Sequence, residues 1–490
     1  MFEHKNKSKT KSIKLNMLLN ILKNLVSVCF PLVTFPYISK VLGVENVGKF
    51  NFSSSIIMYA TLIADLGIAT YAIRECSKCR NNKEEVSKLA SEVFTINVIS
   101  TLISYILLFL CIITLEKLKQ YQLIILILSI NIVCKTLGTE WIFSVFEDYT
   151  FITIRTIIFQ FISLILLLLF VRSKNDLVLY TIISVISTSG AGIINLIYAR
   201  KYCSISIRIH PNLAKHLYPI MIIFGMSATV TVYVASDTTI LGFICGDEAV
   251  GIYYMSSRIY GIIKQMLSAV LVVSIPQLSV LWEKKQHKSF STLSSDIYKT
   301  LLSFSIPVIV ELIVLRKEIV LLLSNTEYIR AASSLGILGI ALFFCMGAWF
   351  WGQCVLIVIG QEKIVFNITL ASARLNIVLN IILIPVGAEN AAAFTTVLAE
   401  ALSFFLCRHY GIKKAEIKNI ELCVMKILFG CLLIVIINSL IMRNLSGNIE
   451  RILNCIFLSS LTYIVAEIAL KNEVICDFVV NFLAIYRKRK

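Results

Sequence analysis

A set of charged residues lies inside otherwise apolar stretches, and these are the side chains with which the chain could do chemistry. A charge near the centre of a bilayer costs about 2.5–3.5 kcal/mol on insertion scales, so we expect each to face a wet cavity or a partner. Arg155 and Lys426 lie near the ends of their stretches, from which long side chains can extend to the interface. Because Arg and Lys bind phosphate well, the basic excess indicates a phosphate-bearing ligand. The set is Lys23, Asp65, Lys135, Glu140, Arg155, Asp237, Arg258, Lys264, Glu311, Arg374, Glu400 and Lys426.

Two of the stretches also carry a polar stripe. At 100° per residue the first stripe falls within an arc of about 60°, and it consists of Asn16, Asn20, Lys23, Ser27 and Thr34. Ser227, Thr231 and Thr238 fall in a similar arc of a later stretch. The hydroxyls can instead hydrogen-bond neighbouring helices. For Lys23 we expect a position in the cavity, and the alternative is that its ammonium reaches the headgroups.

The composition identifies lipid as the solvent of this chain. Of 490 residues, 58% are hydrophobic and 15% are charged, whereas a soluble domain carries about 25% charged residues. Most of the 14 cysteines lie in apolar runs, and Cys76 and Cys79 lack a second ligand pair. We therefore expect no metal and no cofactor.

Membrane-spanning helices of about 20 apolar residues must position these side chains. The sequence predicts an all-α integral membrane protein with about 14 of them, while Val474–Tyr486 is too short to span and is expected to lie along the interface. The spans are Leu18–Val41, Val47–Ile73, Leu89–Leu115, Tyr121–Phe146, Phe151–Val171, Leu177–Ala199, Leu217–Phe243, Gly251–Leu278, Leu301–Leu323, Ala332–Ile359, Ile364–Val386, Ala391–Leu406, Leu422–Met442 and Ile452–Leu470.

The connections indicate the orientation. With the N-terminus inside, the inner segments hold 28 Lys and Arg residues and the outer ones hold 11. The positive-inside rule therefore predicts that both termini are cytoplasmic. This distribution accounts for the net charge of +17, so we expect no nucleic-acid partner. No predicted connection is long enough for a soluble catalytic domain, and we expect no enzymatic activity.

An internal repeat appears when the chain is shifted by 203 residues. Seven of fourteen positions are then identical, and Phe50 stands opposite Tyr253. The pattern predicts two six-helix lobes, residues 1–200 and 201–412, followed by two further helices and a basic tail in residues 413–490. Six helices per lobe give both lobes the same orientation, which is typical of alternating-access carriers with a cavity between lobes. The identities are Gly43, Glu45, Val47, Gly48, Ser53, Ser54 and Ile56 with Gly246, Glu248, Val250, Gly251, Ser256, Ser257 and Ile259.

Short motifs in this framework resemble those of the bacterial polysaccharide flippases of the MOP superfamily, whose fold is MATE-like. The matches extend in order across nearly the whole chain, although Val145 stands where that family commonly has Gly, which affects the helix end there. They are Asp65, Leu66, Gly67 and Arg74; Glu140, Trp141, Glu147 and Tyr149; Asp237, Leu241 and Gly242; Val250, Gly251, Tyr253, Pro276, Leu278 and Ser279; and Asn376, Asn380, Pro385 and Glu400.

The resemblance implies a function. Such flippases move undecaprenyl-diphosphate-linked repeat units of O-antigen, capsule or a similar glycan to the outer leaflet of the bacterial cytoplasmic membrane. Their expected partners are the lipid-linked oligosaccharide, membrane lipids, and a glycan polymerase or other assembly proteins. At the motif positions Asp65, Arg74, Glu140, Arg155 and Asp237, the alternative to contact with substrate is a role in locking the cytoplasmic gate. With the basic residues noted above, the candidate substrate-binding residues are Lys23, Asp65, Arg74, Glu140, Arg155, Asp237, Arg258, Lys264 and Arg374.

Three alternatives remain open at this point. A drug/cation antiporter of the same superfamily would share the fold, but the basic balance disfavours a cationic substrate. A membrane-embedded glycan polymerase or ligase would usually carry a large outer loop. A non-transporting scaffold of a glycan-assembly complex is disfavoured by the buried charges.

Overall fold

Helices make up every regular element of the computed structural model, which describes residues 13–207, 213–444 and 448–487. Side chains are described for residues 30–192, 194–207, 213–269, 271–443 and 449–480. The chain divides into a first unit, Met1–Ala235, and a second unit, Ser236–Lys490. The predicted division at residues 200 and 412 stays a prediction.

The helices of the first unit differ widely in length. They are α1 (Ile13–Asp65), α2 (Ile68–Lys78), α3 (Lys83–Thr114), α4 (Glu116–Lys119), α5 (Gln122–Gly138), α6 (Trp141–Val145), α7 (Tyr149–Phe170), α8 (Leu177–Ser189), α9 (Gly192–Ala199) and the start of α10 (Ala214–Cys245). The second unit contains the end of α10 and then α11 (Asp247–Glu283), α12 (His287–Val314), α13 (Arg316–Leu323), α14 (Ala331–Trp349), α15 (Glu362–Gly411), α16 (Ile420–Asn444), α17 (Asn448–Ala469) and α18 (Glu473–Arg487). A π-helical turn, Phe350–Ile357, extends α14.

Within the described residues, 12 helical segments are long and apolar enough to cross a membrane. Two of them, Phe30–Lys78 and Glu362–Gly411, contain 49 and 50 residues, more than twice the roughly 20 that one crossing needs. Each is interrupted by non-helical backbone, at Gly43 and at Ala388. The prediction of an all-α membrane protein is confirmed, and its 14 spans agree with 12 segments of which two have double length.

The two glycines that the internal repeat aligns share an unusual backbone conformation. Gly43 has φ 74° and ψ 172°, and Gly246 has φ 87° and ψ −174°. This region of φ/ψ space is essentially accessible only to glycine. The repeat therefore preserves a backbone conformation as well as residue identities. In both halves, one helix ends and the next begins at this glycine.

The first unit is built around α1, which packs against α3, α5 and α7, while α5 packs against α8 and α9. Its buried apolar cluster joins α2, α3 and α6, and Ile142 and Phe143 are fully buried in it. Large apolar side chains such as Leu102, Ile106 and Ile113 of α3 are 59–67% exposed. Such exposure is expected of a surface that faces lipid.

In the second unit α14 packs against α11, α12 and α15, and the C-terminal helices attach through α12. Asn438 of α16 and Ser459 of α17 both donate hydrogen bonds to the Glu311 carboxylate of α12, at 2.9 and 3.1 Å. Glu311, which the sequence marks as an isolated charge in an apolar helix, therefore joins three helices. α18 contacts α12 and α17, and its predicted interfacial position stays a prediction.

Candidate functional site

A cavity of about 900 Å³ opens inside the first unit. Its walls come from α1, α2, α3 and α5 to α10, and they include Asp65, Glu140 and Arg155 from the predicted substrate-binding set. This volume lies within the range of about 300–1,000 Å³ that is typical of small-molecule sites. The other polar lining residues are Ser54, Thr61, Thr70, Asn97, Asn131, Lys135, Ser144, Ser184, Thr188, Ser189, Asn195, Ser227 and Thr231.

Breaks in the helices position the two acidic residues. Asp65 is the last residue of α1, and Leu66 and Gly67 follow it with φ angles of 46° and 75°. A Cβ atom at position 67 would lie 2.5 Å from Cγ2 of Ile223, so a larger residue would also clash with α10. Glu140 stands between α5 and α6, directly after Thr139 with φ 39°. The matched motifs thus coincide with helix ends at the cavity wall.

Two ion pairs cross the wall of the cavity. Lys135 of α5 donates a hydrogen bond to the Asp65 carboxylate. Arg155 of α7 places Nη2 3.2 Å from Oε1 of Glu140. The two pairs therefore partly neutralise the positive charge of the predicted set here.

The Arg155 guanidinium has one nitrogen that the ion pair with Glu140 does not use. Its side chain is 11% exposed, and its buried Nη1 has no hydrogen-bond partner within the described part of the chain. Oδ1 of Asn195 is likewise buried without a partner. Buried polar groups normally have partners, so orphaned groups in a cavity wall are candidates for contact with a ligand.

The predicted polar face of the seventh span contributes to the same cavity, since Ser227 and Thr231 of α10 line it. Thr34, the described member of the first stripe, instead donates to the carbonyl oxygen of Phe30 in its own helix, at 3.0 Å. The side chains of Asn16, Asn20, Lys23 and Ser27 lie outside the described residues. The predicted role of Lys23 therefore stays a prediction.

Arg74 lies away from this cavity lining. It is an exposed residue of α2 whose Nε is 2.8 Å from Oε1 of Glu75, and its guanidinium lies 5.5 Å from the centroid of the Tyr71 ring. Glu75 also pairs with Lys78 at 2.7 Å. This arrangement leaves Arg74 on a solvated, paired surface.

Val145, the residue that departs from the family motif, remains helical as the last residue of α6. The left-handed conformation falls two residues later, at Glu147 with φ 57°. The Glu147 carboxylate pairs with Arg80 at 2.8 Å. The helix end therefore forms without glycine at position 145.

The second unit holds the remaining predicted residues. The buried Asp237 carboxylate accepts hydrogen bonds from Tyr253 at 2.6 Å, Asn380 at 2.6 Å and Thr396 at 3.0 Å. Asn380 also contacts Asn376, at 3.2 Å. This network joins α10, α11 and α15, so that motif residues far apart in the sequence meet around one carboxylate.

The cations of the second unit differ in their pairing. Lys264 lies 3.5 Å from Oε1 of Glu400. Arg258 and Arg374 form no ion pair with any residue of the described ranges, and Nε of Arg258 is buried without a partner. These two arginines are therefore the predicted substrate contacts that the second unit leaves uncompensated.

A buried cluster in the first unit was missed by the sequence analysis. His216 of α10 is hydrogen-bonded to the Tyr71 hydroxyl at 2.6 Å and to the Glu92 carboxylate at 2.8 Å. Lys215 lies 3.2 Å from the Glu92 carboxylate. The histidine is separated from these partners by more than 120 positions, and no local spacing signals the contact. Its one sequence signal is that Glu92 interrupts an apolar run.

Comparisons with known proteins agree with this architecture. A protein-family model described as "Polysaccharide biosynthesis protein" matches residues 13–282. Two curated proteins named "Putative O-antigen transporter" are similar: that of Escherichia coli (strain K12) is 23% identical over 51% of this chain and 60% of its own length, and that of Shigella dysenteriae is 25% identical over 55% and 68%. The matched region thus spans about 60% of the first relative.

A solved structure has the same fold. The "Lipid II flippase MurJ, inward closed conformation" superposes with a TM-score of 0.74 at 18% identity, covering 94% of this chain and 100% of that one. At this identity the likeness establishes the fold alone, and it confirms the predicted fold class.

Proposed function

Because the chain belongs to the polysaccharide biosynthesis protein family, we propose that it is a flippase for lipid-linked oligosaccharides. Its substrate class is an undecaprenyl-diphosphate-linked repeat unit of O-antigen, capsule or a similar glycan. The repeat unit moves from the cytoplasmic to the outer leaflet of the bacterial cytoplasmic membrane by alternating access. The protein moves the substrate without altering its bonds and works beside the glycan polymerase and other assembly proteins.

The observation that carries this proposal is the charged cavity among membrane-spanning helices. A wall that holds Asp65, Lys135, Glu140 and Arg155 suits a ligand with both sugar hydroxyls and phosphate oxygens. The carboxylates accept hydrogen bonds from hydroxyls, and the cations bind phosphate. The unused Nη1 of Arg155 is the donor that we assign to the substrate. Lys23, Arg258 and Arg374 remain proposed phosphate contacts.

A null strain tests the proposal. Its lipid-linked repeat units should accumulate on the inner leaflet, and surface glycan should return when the wild-type chain is supplied. At equal levels of protein in the membrane, Arg155→Gln should restore much less surface glycan than wild type. Arg155→Lys should restore an intermediate amount, because it keeps the positive charge but lacks the paired donors of the guanidinium. Arg200→Gln, an exposed change outside the cavity, is the matched control.

Three results would contradict the proposal. Normal surface glycan in the null strain would remove the assigned role. Extrusion of small cations without a glycan defect would favour the antiporter. Chemical change of the lipid-linked glycan by purified protein in liposomes would favour an enzyme.

The proposed orientation has its own test. Residues 74–88 and 200–215 should be cytoplasmic, and residues 172–176 and 443–451 external. Single Cys substitutions in a background without native Cys, treated on intact cells with an impermeant thiol reagent, should react only at the second pair. Labelling of the first pair would reverse the orientation.

A further inference from the structure

A second cavity, of about 550 Å³, lies at one end of the second unit. It is formed by α12, α16, the start of α18 and the connections that precede α16 and α18. These segments belong to the end of the unit that the sequence predicts to be cytoplasmic. Its lining includes Lys299, Glu421, Leu422, Lys426 and Glu473.

Four charged side chains line this cavity, and the structure shows no salt bridge between them. Lys299 and Lys426 are half-buried, and Glu421 and Glu473 are exposed. The Lys426 ammonium donates to the carbonyl oxygen of Lys471, at 2.8 Å. Among the residues whose side chains the structure describes, none of the four takes part in a salt bridge, and Lys299 makes no side-chain hydrogen bond. Two cations and two anions in one recess call for a ligand that carries both signs of charge.

An apolar stripe leads away from the mouth of the cavity. Leu422 lines the cavity, and Met425, Phe429, Leu432 and Ile436 follow it along α16. At 100° per residue these five side chains fall within an arc of about 80°. Each is between 45% and 60% exposed. A ligand with its polar part in the cavity would therefore have a continuous apolar surface for hydrocarbon chains.

We propose that this cavity binds the headgroup of an aminophospholipid, namely phosphatidylethanolamine, whose acyl chains lie along the α16 stripe. The phosphate lies between Lys299 and Lys426, and the primary ammonium lies toward Glu421 and Glu473. A choline headgroup has the same charges but no N–H donor for the carboxylates. Free phosphate or glycerophosphoethanolamine shares part of this chemistry but lacks the chains. The site does not depend on the proposed transport function.

Native mass spectrometry of the purified full-length chain, titrated with defined lipids, tests this assignment. The wild type should retain one phosphatidylethanolamine more tightly than phosphatidylcholine or phosphatidylglycerol. Lys299→Gln should weaken that binding about tenfold, the effect expected when a charge-assisted hydrogen bond is lost. Since Lys299 has no partner in the described part of the chain, this variant should fold normally. Lys288→Gln, an exposed change on the same helix, should leave binding unchanged.

The headgroup preference provides the second arm. Glu421→Gln combined with Glu473→Gln should remove the preference for ethanolamine over glycerol while leaving a lipid bound. Equal retention of all three lipids by the wild type, or equal losses in Lys299→Gln and Lys288→Gln, would overturn the proposal. Displacement of the lipid by inorganic phosphate or glycerophosphoethanolamine alone at equal concentration would assign the site to a free ligand and would overturn the lipid assignment.

Discussion

Replacement of Gly246 by alanine should destabilise the second unit through the backbone alone. A Cβ atom at this position would meet nothing within 4 Å, so no steric contact opposes the change. The φ of 87° and ψ of −174° nevertheless lie in a region that alanine avoids, at a cost of about 1–3 kcal/mol. The expected loss in the free energy of unfolding is therefore about 1–3 kcal/mol.

Gly261 provides the matched control on the same helix, α11. Its Cβ would also meet nothing within 4 Å, but it has an ordinary helical conformation. Alanine there should stabilise the helix by about 0.5–1 kcal/mol. The free energies of unfolding of the two Gly→Ala variants should therefore differ by about 1.5–4 kcal/mol, one below and the other above the wild-type value.

Equilibrium unfolding in mixed detergent micelles, monitored by circular dichroism, measures this difference. Gly43→Ala should behave like Gly246→Ala because its φ of 74° and ψ of 172° lie in the same region. The reasoning would be refuted if the free energies of unfolding of Gly246→Ala and Gly261→Ala agreed within about 0.5 kcal/mol. The positive φ at the start of α11 would then not be a requirement of the fold.

Three further predictions concern charged side chains of the helices. Glu311→Ala should lower the free energy of unfolding by about 1–3 kcal/mol and expose the C-terminal helices to limited proteolysis, because the buried donors of Asn438 and Ser459 lose their acceptor. An unchanged proteolytic pattern would mean that Glu311 does not hold these helices in place. Asp237→Asn should destabilise by about 1–3 kcal/mol in thermal unfolding, since an amide cannot accept all three hydrogen bonds, and equal melting temperatures would contradict it. Lys135→Asp should impair surface glycan, and the double variant Lys135→Asp with Asp65→Lys should recover part of it because the two charges are exchanged. If the double variant recovered no glycan at equal expression, the pair would do more than neutralise charge.

The resemblance to polysaccharide flippases is confirmed by the family to which the chain belongs. Two of the motifs that carried it stand at backbone breaks. Leu66 and Gly67 end α1, and Thr139 precedes Glu140 with a positive φ. Gly67 tolerates a positive φ, and this is the part of the break that a single sequence shows.

The pairing of charges was less predictable. The sequence indicates that Lys264 needs a partner or a wet cavity, since unpaired charges in lipid are costly, and that Arg155 can extend to the interface. It does not identify Glu140 as the partner of Arg155 or Glu400 as the partner of Lys264, because those partners lie on other helices. The cavity of the first unit has two ion pairs in its wall, and Nη1 of Arg155 is buried there without a partner in the described part of the chain, while the expected basic cavity between the lobes stays a prediction.

The sequence by itself determined the solvent, the helical fold class, the number of crossings and the repeated glycine junction. Each of these follows from local requirements: the length of apolar runs, the backbone hydrogen bonds that lipid cannot satisfy, and the φ values that glycine tolerates. Only the tertiary structure decided which polar groups meet. His216 with Glu92, Asp237 with Asn380, and the unpaired Lys299 depend on how helices distant in the chain pack, and side-chain contacts across such separations leave no periodic pattern in the sequence.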